Sequence, residues 1–129
     1  SKKMVGWLKQ KNRVKCFQSD ILDFKFDIGF DGIWCSFALQ HLEKSNQNKF
    51  LEKIPKGLNK QGVFYLGIHE GSQEFRDKFG RYYAPRTQVE INSLFLKIGL
   101  SIFKTIKESS SSFDGSPIKV MHFFSTLKD

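Results

Sequence analysis

The chain has 129 residues, the length of one modest domain, and 40% hydrophobic content with fourteen Phe, which supports a core and excludes wholesale disorder. Its formal charge is +8, yet only four of the twenty-one cations are Arg, the residue suited to bidentate phosphate and base contacts. Residues 1–60 carry twelve Lys/Arg against six Asp/Glu, with Lys2, Lys3, Lys9, Lys11, Arg13 and Lys15 clustered without an acid, so the excess reads as a solvated lysine-rich face and nucleic acid is not expected as a partner. No stretch approaches the ~20 apolar residues that cross a bilayer, and Ser1–Met4 lacks the apolar core of a signal peptide, so no membrane partner and a cytoplasmic setting are expected. Cys16 and Cys35 are too few for a disulfide scaffold or a zinc cluster; they read as reduced, packed thiols, with no metal site.

In chain order, residues 2–11 predict a short helix with Met4, Val5, Trp7 and Leu8 on one stripe and Ser1 at the N-cap position. Val14, Cys16 and Phe17 form a short strand closing at Ser19-Asp20, followed by an apolar-anchored loop over 21–30. Gly32–Ser36 is a continuous apolar run, the mark of a strand buried on both faces. After a loop or single turn at Phe37–Leu42, Ser45 caps a helix over about 46–58 with Phe50, Leu51, Ile54 and Leu58 on one face. A turn at Asn59–Gly62 leads into a buried strand, Val63–Ile68. His69 to Arg86 is a long polar loop of the kind that forms lids. Thr87 caps a third helix carrying Val89, Ile91, Leu94, Phe95 and Ile98, stopped by Gly99. Leu100–Ile106 is a strand, 108–117 a flexible loop, and Val120–Leu127 the last strand.

Strands alternating with helices predict one α/β domain over 1–129 with a mostly parallel sheet, and the last two strands, joined without a helix, predict an antiparallel C-terminal hairpin. In such sheets ligands sit at the carboxyl ends of strands. That rule selects Asp20, which could accept from an exocyclic amine or a ribose hydroxyl, or simply cap a turn. It selects the segment from Cys35 to His41, whose imidazole titrates where a general base works but could equally cap the next turn. It also selects His69, beside Glu70 and Gly71, although adjacent strand residues face opposite ways. Arg81-Tyr82-Tyr83 in the long loop could clamp an acidic or planar substrate, or pack the loop down. No P-loop, Gly-x-Ser-x-Gly, His-Glu-x-x-His or Cys-x-x-Cys is present, so hydrolase and zinc chemistry have no motif support.

Ser19-Asp20-Ile21, Phe30-Asp31-Gly32-Ile33-Trp34 through Leu39-Gln40-His41-Leu42, Leu58–Tyr65 and Leu96-Lys97-Ile98-Gly99-Leu100 stand in order and at fitting distances. Together they resemble a class I S-adenosylmethionine-dependent methyltransferase of the small type 11/12 kind, over nearly the whole chain. The resemblance implies a Rossmann-like fold, S-adenosyl-L-methionine as cofactor and a small-molecule acceptor. It implies that Asp20 contacts the adenine amine, that Ile21 lines the adenine pocket, and that Cys35 and Ser36 meet the methionine moiety. Gln40 and His41 would form the floor near the reactive methyl, Gln40 with the cofactor and His41 or His69 as base, while Arg81 and Tyr82 face the methyl acceptor.

The chain departs from that family at its start. The family opens with a strand, a Gly-x-Gly-x-Gly loop, a helix and a strand ending in a ribose-binding acid; this chain contains no Gly-x-Gly. The implied strand order 3-2-1-4-5-7-6 would leave the Val14 strand orphaned and bare one edge of the Gly32–Ser36 strand. Two expectations follow: that edge is covered by the Val14 strand moving inward or by a second copy of the chain, and S-adenosylmethionine binding by these residues is weak or absent. A non-catalytic methyltransferase-like module acting as an oligomeric partner subunit is the alternative reading.

Overall fold

The computed structural model describes residues 14–17 and 29–129. The helix expected over 2–11, the strand end at Ser19-Asp20 and the loop as far as residue 28 lie outside these residues, and so do the candidate adenine contacts Asp20 and Ile21.

The first two strands are β1 (Val14–Phe17) and β2 (Phe30–Ser36), followed by a single 3-10 turn at Leu39–His41 and helix α1 (Lys44–Gly57). Strand β3 (Leu58–His69) leads into two short strands, β4 (Phe75–Arg76) and β5 (Tyr82–Tyr83). Helix α2 (Gln88–Ile98) and the long strands β6 (Leu100–Ser111) and β7 (Pro117–Leu127) complete the order. The main sheet runs β1-β2-β3-β7-β6: β1, β2 and β3 are parallel, and β7 is antiparallel to both β3 and β6. The expected α/β architecture with a parallel body and an antiparallel closing hairpin is therefore the observed one.

The covered edge takes a specific form. β1 lies directly against β2, with Val14 opposite Gly32 and Phe17 opposite Cys35. In the order the resemblance implied, two strands would separate them. Unpaired backbone groups along a buried, apolar strand such as β2 cost free energy until a partner supplies hydrogen bonds, and β1 supplies them.

Alternation then sorts the sheet. Ile33, Cys35, Phe64, Leu66, Ile68, Met121 and Phe123 face the two helices and pack with Phe50, Leu51 and Ile54 of α1 and Ile91 and Phe95 of α2. Trp34, Tyr65 and Phe124 form a separate aromatic cluster, with Trp34 stacked on Tyr65 at 3.9 Å between centroids.

Several local readings change. α1 starts at Lys44 with Glu43 as its N-cap, and Ser45 lies inside it without capping; the Gln47 N–H reaches the Glu43 carbonyl at 2.9 Å. The expected turn at Asn59–Gly62 is an irregularity inside β3: Leu58 pairs with Phe30 and Val63 with Gly32, and Gln61 turns the chain at φ 67°. Thr87 caps α2 in a full capping box with Glu90, and Gly99 ends it at φ 93°, as the sequence requires. Val89 is 74% exposed, because two residues before Ile91 lies about 200° round the helix from the buried stripe. The flexible loop expected over 108–117 is half strand: Glu108 to Ser111 pair with Val120 to Pro117, and the turn shrinks to 112–116, closed by Ser112 and Ser116. Ladder hydrogen bonds come from the backbone, so serines without hydrophobic pattern extend the hairpin as readily as apolar residues.

Candidate active site

The carboxyl ends of β2 and β3 lie side by side, Ser36 opposite Gly67. Just beyond β2 the chain reverses at Phe37, which adopts φ 54°, a left-handed conformation uncommon outside Gly, Asn and Asp. Its N–H donates to the Gly67 carbonyl at 2.9 Å, and its own carbonyl accepts from Gln40 Nε2 at 3.0 Å. The buried Gln40 side chain also accepts the His69 N–H at 3.3 Å, and its main-chain carbonyl accepts the Ala84 N–H at 2.6 Å. Gln40 thus ties the β2 end, the β3 end and the following hairpin together, with both atoms of its amide engaged.

That hairpin is β4–β5, in the segment read as a long loop. Asp77 Oδ1 accepts the N–H groups of Phe79 and Arg81, and Gly80 at φ 80° completes the turn. The segment after its return strand is sewn to the core: the Arg86 N–H donates to the His69 carbonyl and the Gly71 N–H to the Arg86 carbonyl. Arg86 is only 6% exposed, and its Nε and Nη1 donate to Glu90, Gln47 and Asn48 at 2.8, 2.9 and 3.1 Å. Buried Gln47 uses its remaining donor on the Leu42 and Ala84 carbonyls. A buried guanidinium persists only when paired and hydrogen-bonded, and this network meets that condition.

The hairpin places three predicted residues around His41. His41 Nδ1 lies 2.9 Å from the Tyr82 carbonyl, which can only accept, so Nδ1 carries the proton and Nε2 the lone pair. The Arg81 guanidinium donates to that Nε2 at 3.2 Å. His69, 8% exposed, stacks on Tyr83 at 5.3 Å, and Phe75 also stacks on Tyr83 at 4.9 Å. Burial, then the fields of His41 and Arg81, lower the His69 pKa to about 4, so it is neutral at pH 7. Its Nδ1 is buried without a hydrogen-bond partner among the described residues. An orphaned N–H costs more than an orphaned lone pair, so the favoured tautomer puts the proton on Nε2 and makes His69 a hydrogen-bond donor rather than a base.

Of the candidate residues, Gln40, His41, His69, Arg81 and Tyr82 come together at one rim, with Ser36 next to them at the end of β2. The Cys35 side chain points the other way, into the helix-covered core, where burial pushes its thiol up to about 12; only its backbone can serve a ligand.

Sequence reasoning missed a further array beside this rim. Tyr65 O–H donates to His122 Nδ1 at 2.7 Å, and His122 Nε2 lies 2.7 Å from Glu108 Oε1. Gly67 makes it possible, because a Cβ there would strike the Tyr65 hydroxyl and the Phe37 ring. Burial pushes the Tyr65 hydroxyl up to about 12, opposed by a hydrogen bond from the Ser36 side chain. The period-2 pattern already put Tyr65, Gly67 and His69 on one face; joining them to His122 and Glu108 required the β6–β7 register.

A parallel β1-β2-β3 body closed by an antiparallel β6–β7 hairpin, with polar groups gathered past the carboxyl ends of β2 and β3, defines the Rossmann-like architecture of class I methyltransferases. The family model described as "Methyltransferase domain" matches residues 1–66, half of the chain, and the protein belongs to that family. The fold resembles that of the Burkholderia thailandensis 1,6-didemethyltoxoflavin-N1-methyltransferase, solved with 1,6-didemethyltoxoflavin and S-adenosylhomocysteine, with a TM-score of 0.67 at 15% identity over 84% of this chain and 48% of that one. It resembles an S-adenosylmethionine-dependent methyltransferase from Methanosarcina mazei with a TM-score of 0.70 at 13% identity, over 83% and 63% of the two chains. A third, from Clostridium acetobutylicum, aligns with a TM-score of 0.64 at 14% identity over 100% and 73%. The chain thus spans about half the length of the Burkholderia enzyme. No curated protein matches it. Among the described residues no helix is long and apolar enough to cross a membrane.

Proposed function

We propose that this chain forms the acceptor side and the methionine-end floor of an S-adenosylmethionine-dependent methyltransferase acting on a small molecule. The observation that carries the reading is the convergence of His41, His69, Arg81 and Tyr82 past the carboxyl ends of β2 and β3, under a hairpin fixed by Gln40, Gln47 and Arg86. S-adenosylmethionine supplies an electrophilic methyl group carried on a sulfonium. The donor set at the end of β2 suits its methionine end: the Cys35 and Ser36 backbone and the Ser36 hydroxyl are the groups to hold it, with Asp20 and Ile21 toward the adenine. Gln40 contributes by fixing the strand ends, since its amide is engaged. On the acceptor side, the rings of Tyr83 and Phe75 shield the site from water and His69 Nε2–H holds an acceptor oxygen or nitrogen in place. His41 Nε2, once free of Arg81, takes its proton. Methyl transfer of this kind depends on positioning and water exclusion.

The test is a nitrogen-15 NMR titration of the chain with S-adenosylhomocysteine. The Cys35, Ser36, Phe37 and His69 amides are expected to shift, with an affinity on the order of 1 mM rather than micromolar, because the chain has no Gly-x-Gly loop to approach the ligand closely. An unchanged spectrum at these amides overturns the reading, and micromolar affinity overturns its expected weakness.

A further inference from the structure

Arg81 sits on the exposed side of the hairpin turn with only neutral partners for its guanidinium among the described residues. Its charge lies over the Phe113 ring at 4.7 Å and the Tyr83 ring at 5.8 Å, and one N–H reaches His41 Nε2. Asp77, the acid nearest in sequence, uses Oδ1 on backbone N–H groups of its own turn and makes no ion pair with Arg81. Arg76, the other cation of the hairpin, donates to the Gly80 carbonyl and stacks over Tyr82. Beside them lies the neutral His69 with its orphaned Nδ1. A guanidinium held between aromatic rings and an imidazole lone pair exchanges that weak neutral acceptor for a carboxylate at a gain, because a charge-assisted, bidentate contact is stronger than one bond to a neutral nitrogen.

We propose that Arg81 is a gate answering to the methyl acceptor: a small, planar acceptor bearing a carboxylate pairs with its guanidinium, draws it off His41 Nε2, and so frees the nitrogen that takes the acceptor's proton. This rests on the methyltransferase reading. The acceptor's X–H bond breaks as its electron pair forms the X–CH3 bond; the S–CH3 bond of S-adenosylmethionine breaks with its electrons staying on sulfur. The proton passes to His41 Nε2, giving an imidazolium whose Nδ1–H remains on the Tyr82 carbonyl. An acceptor without an anionic group leaves Arg81 where it is and His41 unable to act, so the gate sets specificity by charge as well as shape.

The test uses sodium benzoate as the probe and benzamide, its neutral near-isostere, as the comparison, followed by nitrogen-15 signals of the His41 ring and Arg81 Nε. Benzoate is expected to move both signals, the His41 Nε2 resonance toward that of a free, unprotonated nitrogen, with binding at least about tenfold tighter than benzamide. In Arg81→Gln the resonance starts at the free position and benzoate no longer moves it; Arg81→Lys keeps part of the response. Equal responses to benzoate and benzamide, or a wild-type response in Arg81→Gln, overturn the gate. Because Arg81 is exposed, thermal melting of both variants is expected to match wild type, which separates loss of the contact from loss of the fold. A chain that answers benzoate through Arg81 but shows no shift with S-adenosylhomocysteine upholds the carboxylate-responsive contact while removing the methyl transfer assigned to it.

Discussion

On the helix-covered side of the sheet, Ile33, Cys35, Phe64, Leu66, Ile68, Met121 and Phe123 pack into one apolar cluster with side chains of α1 and α2. On the opposite side the same strands carry Trp34, Ser36, Tyr65, His69, His122 and Phe124, where rings stack, Tyr65, His122 and Glu108 hydrogen-bond in series, and His69 Nδ1 is buried without a partner among the described residues. One face holds the domain together through area removed from water; the other spends the same backbone on geometry. Substitutions should therefore divide cleanly: volume changes on the first face cost stability, and loss of single polar atoms on the second costs little stability and much arrangement.

The largest expected effect tests the first face. Phe64→Ala removes a fully buried ring between Phe95 and the sheet and is expected to cost about 3–5 kcal/mol in urea unfolding. A loss under about 1 kcal/mol would mean that the helix layer is not the source of stability. Next comes pH. His69 is neutral when folded, with a pKa of about 4, and titrates near 6.5 when unfolded, so between these values the unfolded chain binds more protons and stability rises with pH. Acidifying from pH 7 to pH 4 should remove about 1–3 kcal/mol through this residue, and His69→Leu should flatten that part of the curve. An identical pH profile in the variant would show that His69 is not desolvated by its Tyr83 and Phe37 neighbours. The smallest effect probes the polar face most finely: Tyr65→Phe deletes one hydroxyl and is expected to cost about 1 kcal/mol, while the His122 Nδ1 signal moves to that of a nitrogen without a hydrogen-bond donor and Nε2 keeps its contact with Glu108. An unaltered His122 spectrum would break the assignment of the array.

Much of this was readable in the sequence where a residue's role depends on its neighbours along the chain. The β2 run, the α2 capping box at Thr87 and Glu90 and the Gly99 stop all follow from local chemistry, and all stand in the structure. The rule that ligands gather at strand ends also puts His41 and His69 forward, and the cation among aromatics of the long loop points to Arg81. What it could not give was their relation: that Arg81 occupies the very nitrogen on which His41 would act as base, and that Gln40 is a tie between three segments. Those facts depend on 41- and 40-residue separations closed by the hairpin and a 29-residue one closed by the pairing of β2 with β3.

The sequence by itself determined the α/β class, the alternation that divides the sheet, both ends of α2 and the neighbourhood of the site, because propensity, capping and periodicity act over a few residues. Only the tertiary structure decided that β1 takes the place beside β2, that the serines of 109–111 continue a strand, and that Tyr65, His122 and Glu108 share a chain of hydrogen bonds. Each of those outcomes follows from which strands pair and in what register, and backbone pairing of that kind draws on groups that nearly every residue carries alike.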